Sequence, residues 1–316
     1  MLTWLNLYSL MTQTYHSPVL LKECIDALAI QTDGVYLDLT FGGGGHSAAI
    51  LERLGDSGRL FAFDQDADAQ RNKIDDKRFT LIASNFKHLK AQLRFHGCVK
   101  VNGVLGDFGV SSYQFDTATR GFSTRFDGPL DMRMSAQMKQ SASDIVNNYS
   151  VEELAQLFRK YADLKNAYSI AQAIDAGRNQ SPITTTFQLM QVIAPVLYVP
   201  KRNQQNAQVF QALRIEVNQE LEAIEQMLEQ LTEVVELGGR IALMSYHSLE
   251  DRLVKNFIRA SRADGIVEKD FYGNPKLSFK KVGQPMVASE EEVRLNPRSR
   301  SAVLRVAERV KNQFVS

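Results

Sequence analysis

Only two cysteines occur in the 316 residues, Cys24 and Cys98. They are too few for a disulfide framework and stand in no metal-ligand spacing, a usage that fits a reducing compartment and sets the cytoplasm as the expectation. No apolar run approaches the roughly 18 to 20 residues that a membrane-spanning helix needs. Charged residues recur throughout, so a soluble protein without a membrane partner is expected. The first ten residues, MLTWLNLYSL, contain no positive charge and no small-residue cleavage site, which argues against a signal peptide and makes Met11 a candidate start. Internal repeats, low-complexity tracts and a GxxxxGK[ST] phosphate loop are also missing.

What is present is a core and an uneven charge. Apolar residues make up 44% of the chain, enough for a sizeable interior at about two domain lengths. The net charge of +1 conceals a basic end: residues 252–316 hold 14 Lys or Arg against 7 Asp or Glu, a net +7, leaving −6 for residues 1–251. Such clustering suits a phosphate backbone, or else a solvated face.

Short β-branched and apolar runs at Val35–Leu39, Leu60–Phe63, Phe79–Ile82 and Val101–Leu105 alternate with helix-like segments at Ser47–Leu54, Asp66–Lys73 and Phe86–Phe95. This predicts a βαβ array, hence a parallel sheet with helices on both faces. From Tyr113 to Asn206 strand signals vanish. Helical patterns near Val151–Lys160 and Asn166–Ala176 and turn-rich text at Phe122–Pro129 indicate a helical insertion. The spacing of Phe210, Leu213, Val217, Leu221, Ile224, Leu228 and Leu231 predicts one long amphipathic helix across Val209–Leu237, stopped by Gly238-Gly239. A strand at Arg240–Met244, a helix at Leu249–Arg259, a loop or hairpin and a last strand at Ala302–Ala307 complete the reading. The α/β domain is therefore expected to be discontinuous, 1–112 with 206–316, around an inserted domain at 113–205.

The first strand runs into Asp38-Leu39-Thr40-Phe41-Gly42-Gly43-Gly44-Gly45-His46-Ser47 and a helix, so a nucleotide-type ligand is expected at the carboxyl edge of the sheet. Asp64 ends the second strand 20 residues after Gly44, where a carboxylate can take both hydroxyls of a ribose. His46 offers either a helix-start amide to a ligand carboxylate or a ring packed at the head of the helix. Phe86 offers either a stacking ring for adenine or a buried helix-start residue. The fourth strand ends in Gly106-Asp107-Phe108-Gly109-Val110-Ser111-Ser112-Tyr113-Gln114, bringing a carboxylate, hydroxyls and an amide to the same edge. Acceptors of this kind can restore electron density to an exocyclic base amine and take its proton. Asp107 is the expected amine acceptor and Ser111 a secondary polar contact, although an Asx-turn would also explain Asp107. Tyr246 and His247, after the later strand, are expected to hold a flipped-out base.

At these residues the sequence resembles the RsmH/MraW family of bacterial 16S ribosomal RNA cytosine-N4 methyltransferases. The resemblance rests on Tyr15-His16-Ser17-Pro18-Val19-Leu20-Leu21, the Thr40–Ser47 and Asp107–Ser112 runs, Arg120-Gly121-Phe122-Ser123 and Asp127–Met134. It continues through Phe210-Gln211-Ala212-Leu213-Arg214-Ile215, Ser245–Arg252 and Asn296–Ser301, so it spans nearly the whole chain from Thr14. It implies a Rossmann-like class I S-adenosylmethionine-dependent methyltransferase with an inserted helical substrate-recognition domain. The acceptor it implies is N4 of a cytidine of 16S ribosomal RNA at the decoding centre, within the small ribosomal subunit. Cofactor contacts are implied at Gly44, Gly45, His46, Asp64, Phe86, Asp107 and Gln114, and no metal is demanded.

The chain departs from the family where Ala162-Asp163-Leu164 replaces a Gly-Glu-Glu stretch. It departs again where Gln205–Val209 replaces Pro-Ala-Thr-Arg-Thr, putting Gln208 in place of arginine, for which Arg214 is a candidate compensation. RNA contacts are expected from the basic end and from Arg120, Arg125, Arg133, Lys201 and Arg202. A monomer and a homodimer both remain open. Two other classes compete: a nicotinamide-dependent oxidoreductase, which leaves the Asp107–Gln114 cluster unexplained, and a non-catalytic RNA-binding ribosome assembly factor, which leaves the glycine-lined edge unexplained.

Overall fold

The computed structural model describes residues 18–313; Met11 and the Tyr15-His16-Ser17 start of the first family motif lie outside them. The described chain divides into two compact units, one of residues 18–109 and 221–313, the other Val110–Glu220.

In chain order the first stretch holds α1 (Leu21–Leu28), β1 (Val35–Asp38), α2 (Gly45–Arg53), β2 (Arg59–Asp64), β3 (Phe79–Ala83), α3 (Leu89–Phe95) and β4 (Val101–Asp107). The second unit is helical, with α4 (Ser112–Asp116), α5 (Ala142–Asn148), α6 (Val151–Ala162), α7 (Ala167–Arg178), α8 (Thr186–Ile193) and α9 (Arg202–Asn218). The chain returns through α10 (Glu220–Val234), β5 (Val235–Ser245), α11 (Ser248–Ala260), β6 (Leu277–Val287), α12 (Glu290–Leu295) and β7 (Val303–Gln313).

The seven strands form one sheet in the order β3-β2-β1-β4-β5-β7-β6. The first five are parallel, as the βαβ alternation predicts. β7 runs antiparallel to both β5 and β6, so the sheet is mixed. Side chains alternate between two cores, as the period of a strand requires. Leu37, Phe61, Phe63, Val104, Ile241 and Leu243 meet α3, α10 and α11 on one face. Tyr36, Leu60, Ala62, Leu105, Ala242 and Met244 meet α1 and α2 on the other. In the second unit α6 packs on α7 and α9 through buried residues that include Leu154, Phe158, Ile170, Ile174, Phe210 and Leu213.

Three expectations are corrected. The continuous helix across 209–237 is two helices, because Gln219 adopts a left-handed conformation (φ 51°) and ends α9. Phe210, Leu213 and Val217 thus serve the helical unit, while Ile224, Leu228 and Leu231 serve the sheet. Gly238-Gly239 does not stop a helix. β5 has already begun at Val235, and these glycines lie where its pairing with β4 shifts register. The helix expected at Asp66–Lys73 is a 3₁₀ turn over Ala67–Asn72.

Candidate active site

The carboxyl ends of the parallel strands form a rim on which most of the expected residues converge. At the end of β1, Asp38 is fully buried. Its Oδ1 accepts from Thr40 N (3.0 Å) and its Oδ2 from the Ser47 hydroxyl (2.6 Å) in α2. The Thr40 hydroxyl accepts from Asp107 N at 2.7 Å, which ties the glycine loop to the end of β4. The Asp38–Thr40–Asp107 chain is invisible to spacing along the sequence but follows from strand register. Asp38 pairs with Leu105, so Thr40 and Asp107 come level two residues later.

The glycines differ in their reasons. Gly42 (φ 51°) turns its N–H onto Asp64 Oδ2 at 2.8 Å, and its carbonyl accepts from Asn72 Nδ2 at 3.0 Å. Gly44 has φ 79°, and a Cβ there would sit 2.9 Å from the Phe41 ring; a Cβ on Gly45 would run into Pro18. Two of the glycines expected to admit a ligand are thus also required by packing. Gly44 is the N-cap of α2 and has no side chain with which to cap it, so first-turn N–H groups remain to be satisfied from outside the helix. His46 is buried in the first turn, its Nε2 at 3.1 Å from the Val19 carbonyl.

Asp64, at the end of β2, accepts Gly42 N on one oxygen and Asp66 N on the other (both 2.8 Å), and each oxygen retains a second lone pair. Burial pushes its carboxyl up to about 6, against the pull of those two backbone donors. Phe86 opens a 3₁₀ turn capped by Asn85, which also donates to Gln65 Oε1 at 2.9 Å. Its partly exposed ring lies 5.9 Å from that of Phe108.

Asp107 and Tyr246 meet: the tyrosine hydroxyl donates to Asp107 Oδ1 at 2.7 Å. Burial pushes the Asp107 carboxyl up to about 6, while His46 and the Tyr246 hydroxyl pull it back and Asp38 and Glu250 add to the rise. The Tyr246 hydroxyl is driven strongly upward, first by burial and then by Asp107, so it stays protonated and acts as a donor. Its backbone is held in turn by Glu250, fully buried, whose Oε2 accepts from Tyr246 N at 2.8 Å. Glu250 belongs to the Ser245–Arg252 motif, where sequence alone gives it no role. His247 caps α11: Nδ1 faces Glu250 N at 3.5 Å, and Nε2 lies 2.9 Å from Glu250 Oε1, off the line a hydrogen bond needs.

Ser111 and Gln114 belong to the second unit, where they cap α4 reciprocally. Ser111 Oγ accepts from Gln114 N (3.3 Å) and Gln114 Oε1 from Ser111 N (3.1 Å). Of the arginines expected to grip RNA, Arg133 is paired with Asp131 at 2.7 Å and Arg120 donates to the Arg133 carbonyl at 3.0 Å, so both serve the fold of the insertion. Arg125, Lys201 and Arg202 are exposed. The two departures from the family pattern touch each other: Gln208 Nε2 donates to the Ala162 carbonyl at 3.0 Å. Arg214 is held by both oxygens of Glu220, at 2.8 and 2.9 Å.

A Rossmann-like sheet whose rim combines a glycine turn, an acid at the end of β2 and an acid at the end of β4 defines a class I S-adenosylmethionine-dependent methyltransferase. The chain belongs to the MraW methylase family, whose model matches residues 13–310. It is 54% identical over 296 residues to the ribosomal RNA small subunit methyltransferase H of Christiangramia forsetii, covering 94% of this chain and 98% of that protein. It is 51% identical over 299 residues to the protein of the same name from Flavobacterium johnsoniae, covering 95% and 99%. Membership selects a methyltransferase over the nicotinamide-dependent oxidoreductase and the non-catalytic RNA binder. Among the described residues no helix is long and apolar enough to cross a membrane.

Proposed function

We propose that the protein methylates N4 of a cytidine in 16S ribosomal RNA, at the decoding centre of the small ribosomal subunit, in the cytoplasm. The observation that carries this reading is the Asp107–Tyr246 pair at the rim, a carboxylate held by a tyrosine hydroxyl beside the glycine turn.

The donor set fits S-adenosylmethionine. Asp64 has lone pairs to spare for ribose hydroxyls, and the first-turn N–H groups at Gly45 and His46 suit the methionyl carboxylate. Phe86 presents a ring to the adenine, while Gly44 and Asp107 complete the set. The bound sulfonium supplies an electrophilic methyl carbon.

The protein's own part is to place and activate the amine. A cytosine amine is a weak nucleophile because its lone pair is delocalised into the ring. The Asp107 carboxylate accepts one of its N–H bonds and takes up the proton as the nitrogen becomes bonded to carbon. Tyr246 fixes the carboxylate by donating to Oδ1, which leaves Oδ2 for the amine. His247 is assigned to the base, and Arg125, Lys201 and Arg202 are exposed cations suited to phosphates.

Mass spectrometry of 16S ribosomal RNA from a strain lacking the gene tests the assignment. One cytidine is expected to lose a single N4-methyl group and regain it on complementation. An unchanged methylation map would refute the substrate.

A further inference from the structure

Between α11 and β6 the chain builds an ordered loop with an unusual tip. An antiparallel bridge joins Lys269 to Pro275, and Lys276 N donates to the Glu268 carbonyl at 2.8 Å. Asp270 fixes the turn: Oδ1 accepts Tyr272 N (2.9 Å) and Asn274 N (2.8 Å), and Oδ2 accepts Asn274 Nδ2 (3.1 Å). Gly273 closes it with φ 86°. On this support stand Phe271, 97% exposed, and Tyr272, 85% exposed, edge to face at 5.6 Å. The turn is made by Asp270, Gly273 and Asn274, so nothing in its own folding calls for two aromatic rings in water.

The loop lies at the edge of the sheet opposite the rim. Val287, at the far end of β6, pairs with Val303, which pairs with Ser245 at the rim, whereas Leu277 pairs with Gln313. β6 therefore separates loop from rim by about 30 Å at strand rise. Phe95, 83% exposed at the end of α3, and Lys100, just before β4, face the same edge. Lysines flank the rings on both sides. Lys269 and Lys276 are exposed, while Glu268 is paired with Arg262 at 2.9 Å and Asp270 is taken up by the turn.

Resting on the reading of the protein as a ribosomal RNA methyltransferase, we propose that the Glu268–Lys276 loop is a second, remote RNA anchor. Unpaired bases of the ribosomal substrate stack on Phe271 and Tyr272, and Lys269 and Lys276 meet the adjoining phosphates. Stacking needs exposed rings on a pre-formed support and is tolerant of sequence. Lysine is depleted in protein–protein interfaces and favoured beside phosphates, so the flanks select RNA over a second protein chain. An anchor that holds ground state and transition state equally lowers KM and leaves the chemical step unchanged.

The test uses the full-length protein and small ribosomal subunits with labelled methyl donor. Phe271→Ala/Tyr272→Ala is expected to raise KM for subunits about tenfold or more, with kcat, S-adenosylmethionine affinity and melting temperature unchanged. Phe271→Trp/Tyr272→Trp is expected to keep the low KM, and Lys269→Ala/Lys276→Ala to make the salt dependence shallower. An unchanged KM in the double alanine variant overturns the anchor. So does a wild-type dimer that the same substitution converts to monomer, since the loop would then be a self-association surface. A wild-type protein that leaves the subunits unmethylated refutes the underlying reading instead.

Discussion

Asp107 carries the account at the scale of single residues. Both it and Asp64 are raised by burial to about 6, so between the ordinary carboxylate range and pH 6 the folded protein binds protons that the unfolded chain has released. Their contribution to stability is fully present below that range and is lost as pH rises through about 6. Asp107→Asn removes one buried charge while keeping an acceptor for Tyr246. It is expected to stabilise the ligand-free protein at pH 7 by about 1–2 kcal/mol, seen as a melting temperature a few degrees higher, and to do little at pH 4. Conversely, the amine acceptor must be ionised, so with S-adenosylmethionine saturating, kcat/KM for the RNA substrate is expected to rise with pH through one ionisation near 6 and level off. Tyr246→Phe removes a hydrogen bond that holds the Asp107 carboxyl down, so this acid limb moves to higher pH as kcat falls. A profile unmoved by Tyr246→Phe would dissociate the limb from Asp107. Which acids mattered was legible in the sequence because each ends a strand. That Tyr246 bonds Asp107 was not, because the two stand 139 residues apart and meet only through the pairing of β4 with β5.

Among the elements, periodicity served the strands well and the long helix badly. β1 to β4 fall on short apolar runs, three of which end in Asp, since a buried parallel strand has to be apolar on both faces. The stretch across 209–237 kept its spacing through Gln219 because both helices it encodes bury a face, so apolar repeat alone could not register the change of unit. The sequence of β6 signals only a loop or hairpin: LSFKKVGQPMV lies at the edge of the sheet, where among the described residues one flank has no partner strand and few positions need be apolar. Gln219 is exposed and left-handed, a conformation that costs a side chain roughly 1 kcal/mol and costs glycine almost nothing. Gln219→Gly is therefore expected to stabilise the protein by up to about 1 kcal/mol in urea unfolding, offset in part by a more flexible unfolded chain. A loss of stability would mean that the Gln219 side chain has a packing role. Gly44→Ala combines φ 79° with contact against the Phe41 ring and is expected to destabilise by about 1–3 kcal/mol, with weaker S-adenosylmethionine binding by calorimetry.

For the whole molecule, one sheet unites residues from both ends of the sequence, with β4 from the first stretch and β5 from the second lying side by side, so that an acid and a tyrosine meet at a rim built by a glycine turn. The charge asymmetry belongs to this scale as well. The surplus of cations in residues 252–316 lies in α11, β6, β7 and their connections, which the sequence could show only as a total. The central claim is that the Asp107 carboxylate accepts the amine proton during methyl transfer. Single-turnover incorporation of labelled methyl into small ribosomal subunits, with wild type and Asp107→Ala both saturated in S-adenosylmethionine, measures it most directly. The chemical rate is predicted to fall by about 10²- to 10⁴-fold in the variant. Equal rates in the two proteins would contradict the claim.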